Sequence, residues 1–189
     1  MIQTNGIAVT VTNSTLSGNS ANSGGGIYNY RSTLTVNNSA FFGNSADDFG
    51  GGGIYNDGWN SYATLTVHNS SFFHNSANTD GGGIYNIGTL TLTNSTLSGN
   101  WAPNGGGIIN SYNGTATVSN STLSGNSATV REGGGIYNYP GALLAVNNST
   151  LSSNWAANGG SGIANPISSG IVTITNSIIA SSPSLADCI

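Results

Sequence analysis

Two kinds of side chain recur in this sequence at spacings suited to binding. The first is threonine, at Thr10 and Thr12, Thr33 and Thr35, Thr64 and Thr66, Thr89, Thr91 and Thr93, Thr115 and Thr117, and Thr173 and Thr175. Residues two apart on a strand share one face, so stacked strands would set these hydroxyls and methyls in a flat grid, a surface that could hold ice. Leu143 and Ala145 interrupt the series, and Asn37, His68 and Asn147 flank it. Threonine is also a polar residue well suited to an exposed strand, so the grid has a purely structural reading too. The second kind is aromatic. Tyr28, Tyr55, Tyr85 and Tyr137 each follow an Ile, while Tyr30, Tyr62, Tyr112 and Tyr139 lie just beyond that step, with Trp59 in the longest intervening segment. Aligned in a ribbon, such amphipathic rings would bind sugars or partner proteins, or simply stack on one another.

Residues for bond-breaking chemistry are scarce. The acids are Asp47, Asp48, Asp57, Asp80, Glu132 and Asp187, the cations are Arg31 and Arg131, and Lys is absent. Glycoside hydrolysis requires two carboxyl groups roughly 5 to 9.5 Å apart, and no pair at outward strand positions offers that. His68 and His74 stand without a nucleophile elbow or a carboxylate at fixed spacing. With net charge −4 and no basic cluster, nucleic acid is not an expected partner. The single Cys188 excludes an internal disulfide and a Cys-rich metal site, and no cofactor or metal is expected. No segment is long and apolar enough to span a bilayer as a helix.

The elements that must position these residues follow from a repeat. The Asn of an Asn-Ser step falls at Asn13, Asn38, Asn69, Asn94, Asn120, Asn148 and Asn176, at intervals of 25, 31, 25, 26, 28 and 28 residues. A second Asn lies six residues on at Asn19, Asn44, Asn75, Asn100, Asn126 and Asn154, with Ser182 in the last round. A third closes the Gly-Ile-Tyr-Asn step at Asn29, Asn56, Asn86, Asn110, Asn138 and Asn165, with Asn5 in the first round. Between these marks the pattern alternates with period two, as in Leu34-Thr35-Val36 and Leu65-Thr66-Val67, which reads as short strands with one face inward. Gly and Asn tolerate the positive φ of sharp corners. A repeat whose units cannot bury their own apolar face must stack. The expected fold is therefore all-β: a right-handed parallel β-helix of about seven three-sided coils of 24–31 residues, forming one domain over residues 1–189. The three Asn corners would form amide ladders from coil to coil, around a core of Ile27, Leu34, Val36, Phe41, Ala46 and their equivalents.

Phe41-x-x-Asn44 and Phe72-x-x-Asn75, each followed by Gly-Gly-Gly-Ile at Gly51 to Ile54 and Gly81 to Ile84, resemble the paired FxxN and GGA[IVL] repeats of the polymorphic outer membrane proteins. The chain is also similar to secreted bacterial proteins with pectin-lyase-like β-helices, and its Thr grid to β-solenoid ice-binding proteins. The resemblance implies an extracellular or cell-surface setting of bacterial type. The chain would then be a segment of a longer secreted or surface protein, with no signal peptide expected within it. Pectin-lyase-like elimination would use an Arg or Lys base beside outward carboxylates. Arg31 and Arg131 fall about four coils apart, on the order of 19 Å at ~4.8 Å per coil, too far to serve one bond.

The leading functional expectation is a non-catalytic surface adhesin, scaffold or self-assembling module, with the Tyr ribbon as a glycan or protein contact. The alternatives are ice binding by the Thr grid and, below it, a polysaccharide lyase or hydrolase. Apolar residues at both ends, among them Ile2, Ile7, Ile178, Ile179, Leu185 and Ile189, raise the further expectation of head-to-tail stacking between copies.

Overall fold

In the computed structural model, which describes residues 1–59, 62–166, 170–180 and Cys188, short strands recur in fixed order and every pairing between them is parallel. Four sheets run along the axis, three of seven strands and one of six. Among the described residues the strands make six full turns and three strands of a seventh. No helix occurs among the described residues.

Sheet 1 holds the Ile-Tyr-Asn steps, with Ile27–Tyr30, Ile54–Asp57, Ile84–Asn86, Ile108–Asn110 and Ile136–Asn138 between Ile2–Asn5 and Ile163–Ala164. Sheet 2 holds the five-residue alternating strands, such as Thr33–Asn37, Thr64–His68 and Thr89–Thr93. Sheet 3 holds three-residue strands such as Ala40–Phe42 and Ser71–Phe73. Sheet 4 consists of two-residue strands such as Ser45–Ala46 and Ser76–Ala77. This fourth sheet adds to the three arcs read from the sequence. It arises because the arc from Asn44 to Asn56 is bent once more between Ala46 and Ile54, where Gly51 holds left-handed backbone with φ of 76°, and two residues are too few to show a period.

Each sheet sends alternate residues inward. Ile27, Leu34, Val36, Phe41 and Ala46 are fully buried, as are their equivalents in the central turns. Like stacks on like: the Phe41 and Phe72 rings lie 4.5 Å apart at 4°, while other turns set Leu97, Leu123 and Leu151 in the same column. The Gly run is a matter of space. A Cβ on Gly82 would stand 2.4 Å from the Trp101 carbonyl oxygen, and one on Gly53 would stand 2.8 Å from the Phe72 ring; atoms that close would force the backbone to shift.

Two of the three Asn series form ladders. Asn44 Nδ2 donates to Asn75 Oδ1 at 2.9 Å, Asn75 to Asn100 at 3.0 Å, and Asn100 to Asn126 at 2.9 Å. The other ladder runs from Asn29 to Asn56 and on to Asn86, both at 2.7 Å. In the first turn Thr4, rather than Asn5, fills the corner: its hydroxyl donates to Asn29 Oδ1 at 2.7 Å, while Asn5 is exposed. The third series behaves differently from the expectation. Asn38, Asn69, Asn94 and Asn120 are exposed and hold left-handed backbone, with φ between 48° and 51°. The Ser that follows makes the ladder instead, Ser70 N donating to Ser95 Oγ at 3.1 Å while Ser70 Oγ donates to the His68 carbonyl at 2.8 Å. A short hydroxyl can accept from the coil on one side and return its proton to its own strand, and the left-handed Asn aims it inward.

At the ends, Ile2, Ile7, Ile174 and Ile178 are exposed and Ile179 is half-buried. Ser182, Leu185, Asp187 and Ile189 lie outside the described residues.

Candidate functional site: the aromatic edge of sheets 1 and 2

On sheet 1 the outward column reads Tyr28, Tyr55, Tyr85, Ile109, Tyr137 and Ala164 in continuous register. Tyr28 and Tyr55 stack at 5.3 Å, and Tyr55 and Tyr85 approach to 4.8 Å. The ribbon is not the exposed platform its sequence positions suggest. Tyr55 and Tyr85 keep only 8 % of their surface and join Ile87 and Ile109 in an outer apolar cluster separate from the central core. The residues before the Gly run cover it; a Cβ on Gly50 would stand 3.1 Å from the Tyr85 ring. Burial pushes the hydroxyl pKa of Tyr28, Tyr55, Tyr85 and Tyr137 above the ordinary tyrosine value. At Tyr28 a second cause is its 2.6 Å hydrogen bond to the Asp57 carboxylate.

The exposed rings belong to the connections between sheets 1 and 2. Those connections differ in length: Gly58 to Ala63 in the third turn, only Ile87-Gly88 in the fourth, Ser111 to Gly114 in the fifth, and Tyr139 to Ala142 in the sixth. The short one leaves a gap between two longer neighbours. Asp57 fixes one wall by accepting the Trp59 backbone N–H at 3.0 Å. Trp59 meets Tyr112 edge-on at 4.7 Å, and Tyr112 stacks on Tyr139 at 5.8 Å. The resulting groove has a volume of about 370 Å³, with Gly58, Tyr62, Ile87, Gly88 and Tyr112 around it and Thr64, Thr89 and Thr115 of sheet 2 along its side. Tyr62 is 93 % exposed. Tyr30 is half-buried, with the Arg31 guanidinium 4.8 Å above its ring.

Sheet 2 aligns the threonines. Its middle outward row is Thr10, Thr35, Thr66, Thr91, Thr117, Ala145 and Thr173. One flanking row runs Ala8, Thr33, Thr64, Thr89, Thr115, Leu143 and Ile171, and the other Thr12, Asn37, His68, Thr93, Ser119, Asn147 and Thr175. The middle row is broken once, at Ala145; the flanking rows are mixed. His74 lies on sheet 3's side, edge-on to Phe42 and Phe73.

Three positions escaped the sequence reading. Asp57 was one acid among six until the structure joined it to Tyr28 and Trp59. Asp80 and Asn104 precede their Gly runs in successive turns, and Asn104 Nδ2 donates to Asp80 Oδ1 at 2.6 Å. The signal for that pair was the register of the Gly runs, which places Gly50, Asp80, Asn104 and Glu132 in one column. Among the described residues no cluster of His, Cys, Asp and Glu could hold a metal ion.

No curated protein and no solved structure matches the chain. Residues 69–87, which span Phe72-x-x-Asn75 and the Gly81 to Ile84 step, match the Chlamydia polymorphic membrane protein repeat, so one turn of this parallel β-solenoid carries the repeat of a surface-type protein family.

Proposed function

We propose that this protein is a non-catalytic β-solenoid of the cell surface whose groove between the Trp59 and Tyr112 connections binds an extended glycan. The observation that carries the reading is an open groove with Tyr62, Tyr112 and the threonine hydroxyls of sheet 2 on it, beside which Trp59 lines an adjoining hollow edge-on to Tyr112 and Tyr139 stacks on Tyr112, so that rings from three turns meet there. Solvent-facing rings of this size present an apolar face to sugar C–H groups at small entropic cost, and neighbouring hydroxyls supply the polar contacts. The Chlamydia polymorphic membrane protein repeat supports a surface setting. A glycan array probed with the wild-type chain and with Trp59→Ala and Tyr112→Ala tests it. Binding to at least one glycan, lost in both variants while their circular dichroism is unchanged, is the expected result; a blank array, or binding indifferent to both changes, refutes it.

A second reading, ice binding by sheet 2, is favoured by one observation, the threonine middle row broken only at Ala145. Thermal hysteresis that Thr91→Tyr abolishes and Tyr112→Ala leaves intact would establish it. No hysteresis in the wild-type chain would end it.

A further inference from the structure

Tyr55 and Tyr85 meet at a tilt of 31°; the next position in the column is Ile109, and the one after is Tyr137. An isoleucine there removes one ring from the ladder. The gap is a partly enclosed cavity of about 130 Å³, with Tyr85 and Tyr137 on either side of Ile109 and Tyr139 and Tyr112 at its margin. Its polar lining is specific. Asp80 and Arg131 both face it, and so does Asn104. Asn104 gives its amide N–H to Asp80 at 2.6 Å, which leaves its Oδ1 buried and without a hydrogen-bond partner. A buried acceptor left bare costs free energy comparable to a lost hydrogen bond, and a ligand that brings a donor would recover it. Ser111 adds a hydroxyl.

These groups define a ligand by exclusion. Acceptors at Asp80 and Asn104 require donors. The Arg131 guanidinium, which offers only donors, requires an acceptor. One carboxylate and one guanidinium offset each other, so a net charge is not called for, and the aromatic sides call for an apolar face. A pyranose ring meets all four demands, with hydroxyls that both donate and accept and a face of C–H groups. Tyr112 lines this cavity and also the groove toward Trp59, so a sugar seated here would have its chain leave across Tyr112.

Resting on the glycan reading above, we propose that the cavity over Ile109 is a subsite for one pyranose residue, held between the Asp80–Asn104 acceptors and Arg131, and that it anchors the end of the glycan whose body lies along the Trp59 groove.

The test uses single sugars, which separates the subsite from the groove. Saturation-transfer NMR on the whole chain with methyl glycosides of glucose, galactose, mannose and N-acetylglucosamine should show transfer to at least one. Arg131→Ala, a change at an exposed residue, should weaken that binding by about tenfold or more, the scale of a lost charged hydrogen bond. Ile109→Tyr, which restores the ladder and fills the cavity, should abolish it. Trp155→Ala, at an exposed ring on sheet 4 away from both the cavity and the groove, should leave single-sugar binding unchanged, while Trp59→Ala lowers binding on the array. If Ile109→Tyr does not fold, Asn104→Ala takes its place, with the same loss expected. The subsite is overturned if no glycoside shows transfer, if binding survives the Arg131 and Ile109 changes, or if a zwitterionic amino acid binds here in place of a sugar. In each case the groove reading stands or falls separately on the array.

Discussion

Asn100 Nδ2 donates to Oδ1 of Asn126 at 2.9 Å, and the Asn100 side chain receives the same bond from Asn75 at 3.0 Å. Its amide also satisfies the Phe72 carbonyl at 3.0 Å, and its Oδ1 accepts the Asn75 backbone N–H at 3.0 Å. Replacing Asn100 by Leu strands groups in the coils on both sides. We expect a loss of about 1 to 3 kcal/mol or more in chemical denaturation, against less than about 0.5 kcal/mol for the same change at Asn22, which is exposed and is not among the left-handed positions. Equal losses would show that the ladder does not stabilise the stack.

Asn94 makes the opposite case. It is exposed, with φ of 51°, and its role is conformational. Asn94→Gly should be neutral within a few tenths of a kcal/mol, whereas Asn94→Val should cost about 1 to 2 kcal/mol, the penalty of a branched side chain in left-handed backbone. Melting temperatures of the two variants would check the order; if Gly costs as much as Val, the side chain and not the backbone matters there.

Asn94 and Asn100 also show where sequence reading stops. Both recur every turn and both look like corner amides, yet one ladders and the other only bends the chain, and the neighbour Ser95 carries the hydrogen bonds. Periodicity tells which residues stack but not which way a corner points. The core was legible because Leu65 and Val67 alternate with Thr64 and Thr66, and burial follows that alternation. The burial of Tyr55 and Tyr85 was not, because it depends on the path of the chain before the Gly run, which shows no period. The Trp59 to Tyr112 contact was hidden for a related reason: it crosses a turn whose own connection is merely Ile87-Gly88. The variable-length segments that repeat alignment sets aside are the ones that built the groove.

The stacked tyrosines set an alkaline limit. Burial keeps Tyr28, Tyr55, Tyr85 and Tyr137 protonated in the folded chain above the ordinary value of 10.0. Below that pH both states hold their protons and nothing changes. Above it the unfolded chain releases protons that the folded chain retains, so stability falls as pH rises. In a titration followed by phenolate absorbance and circular dichroism, the absorbance of these four should appear only as the strand signal disappears. Full ionisation of every tyrosine with the fold intact would contradict their burial.

Asp80 imposes the same sign of dependence in a lower window. Burial raises its carboxyl above the ordinary 3.8, and the Asn104 hydrogen bond and the Arg131 charge offset that rise only in part. Below the unfolded value both states are protonated and the folded chain has its full stability. Between the two values the unfolded carboxyl ionises while the folded one holds its proton, so stability declines as pH climbs through the folded value. Asp80→Asn has nothing to ionise, and its Oδ1 can still accept from Asn104. The melting temperature of the wild-type chain relative to Asp80→Asn should therefore be highest near about pH 4 and drop toward neutrality. A flat difference between the two proteins across that range would mean that Asp80 is not desolvated. A difference that grew with pH would mean instead that Arg131 holds the carboxylate in a stabilising ion pair, and the raised value would be wrong in sign.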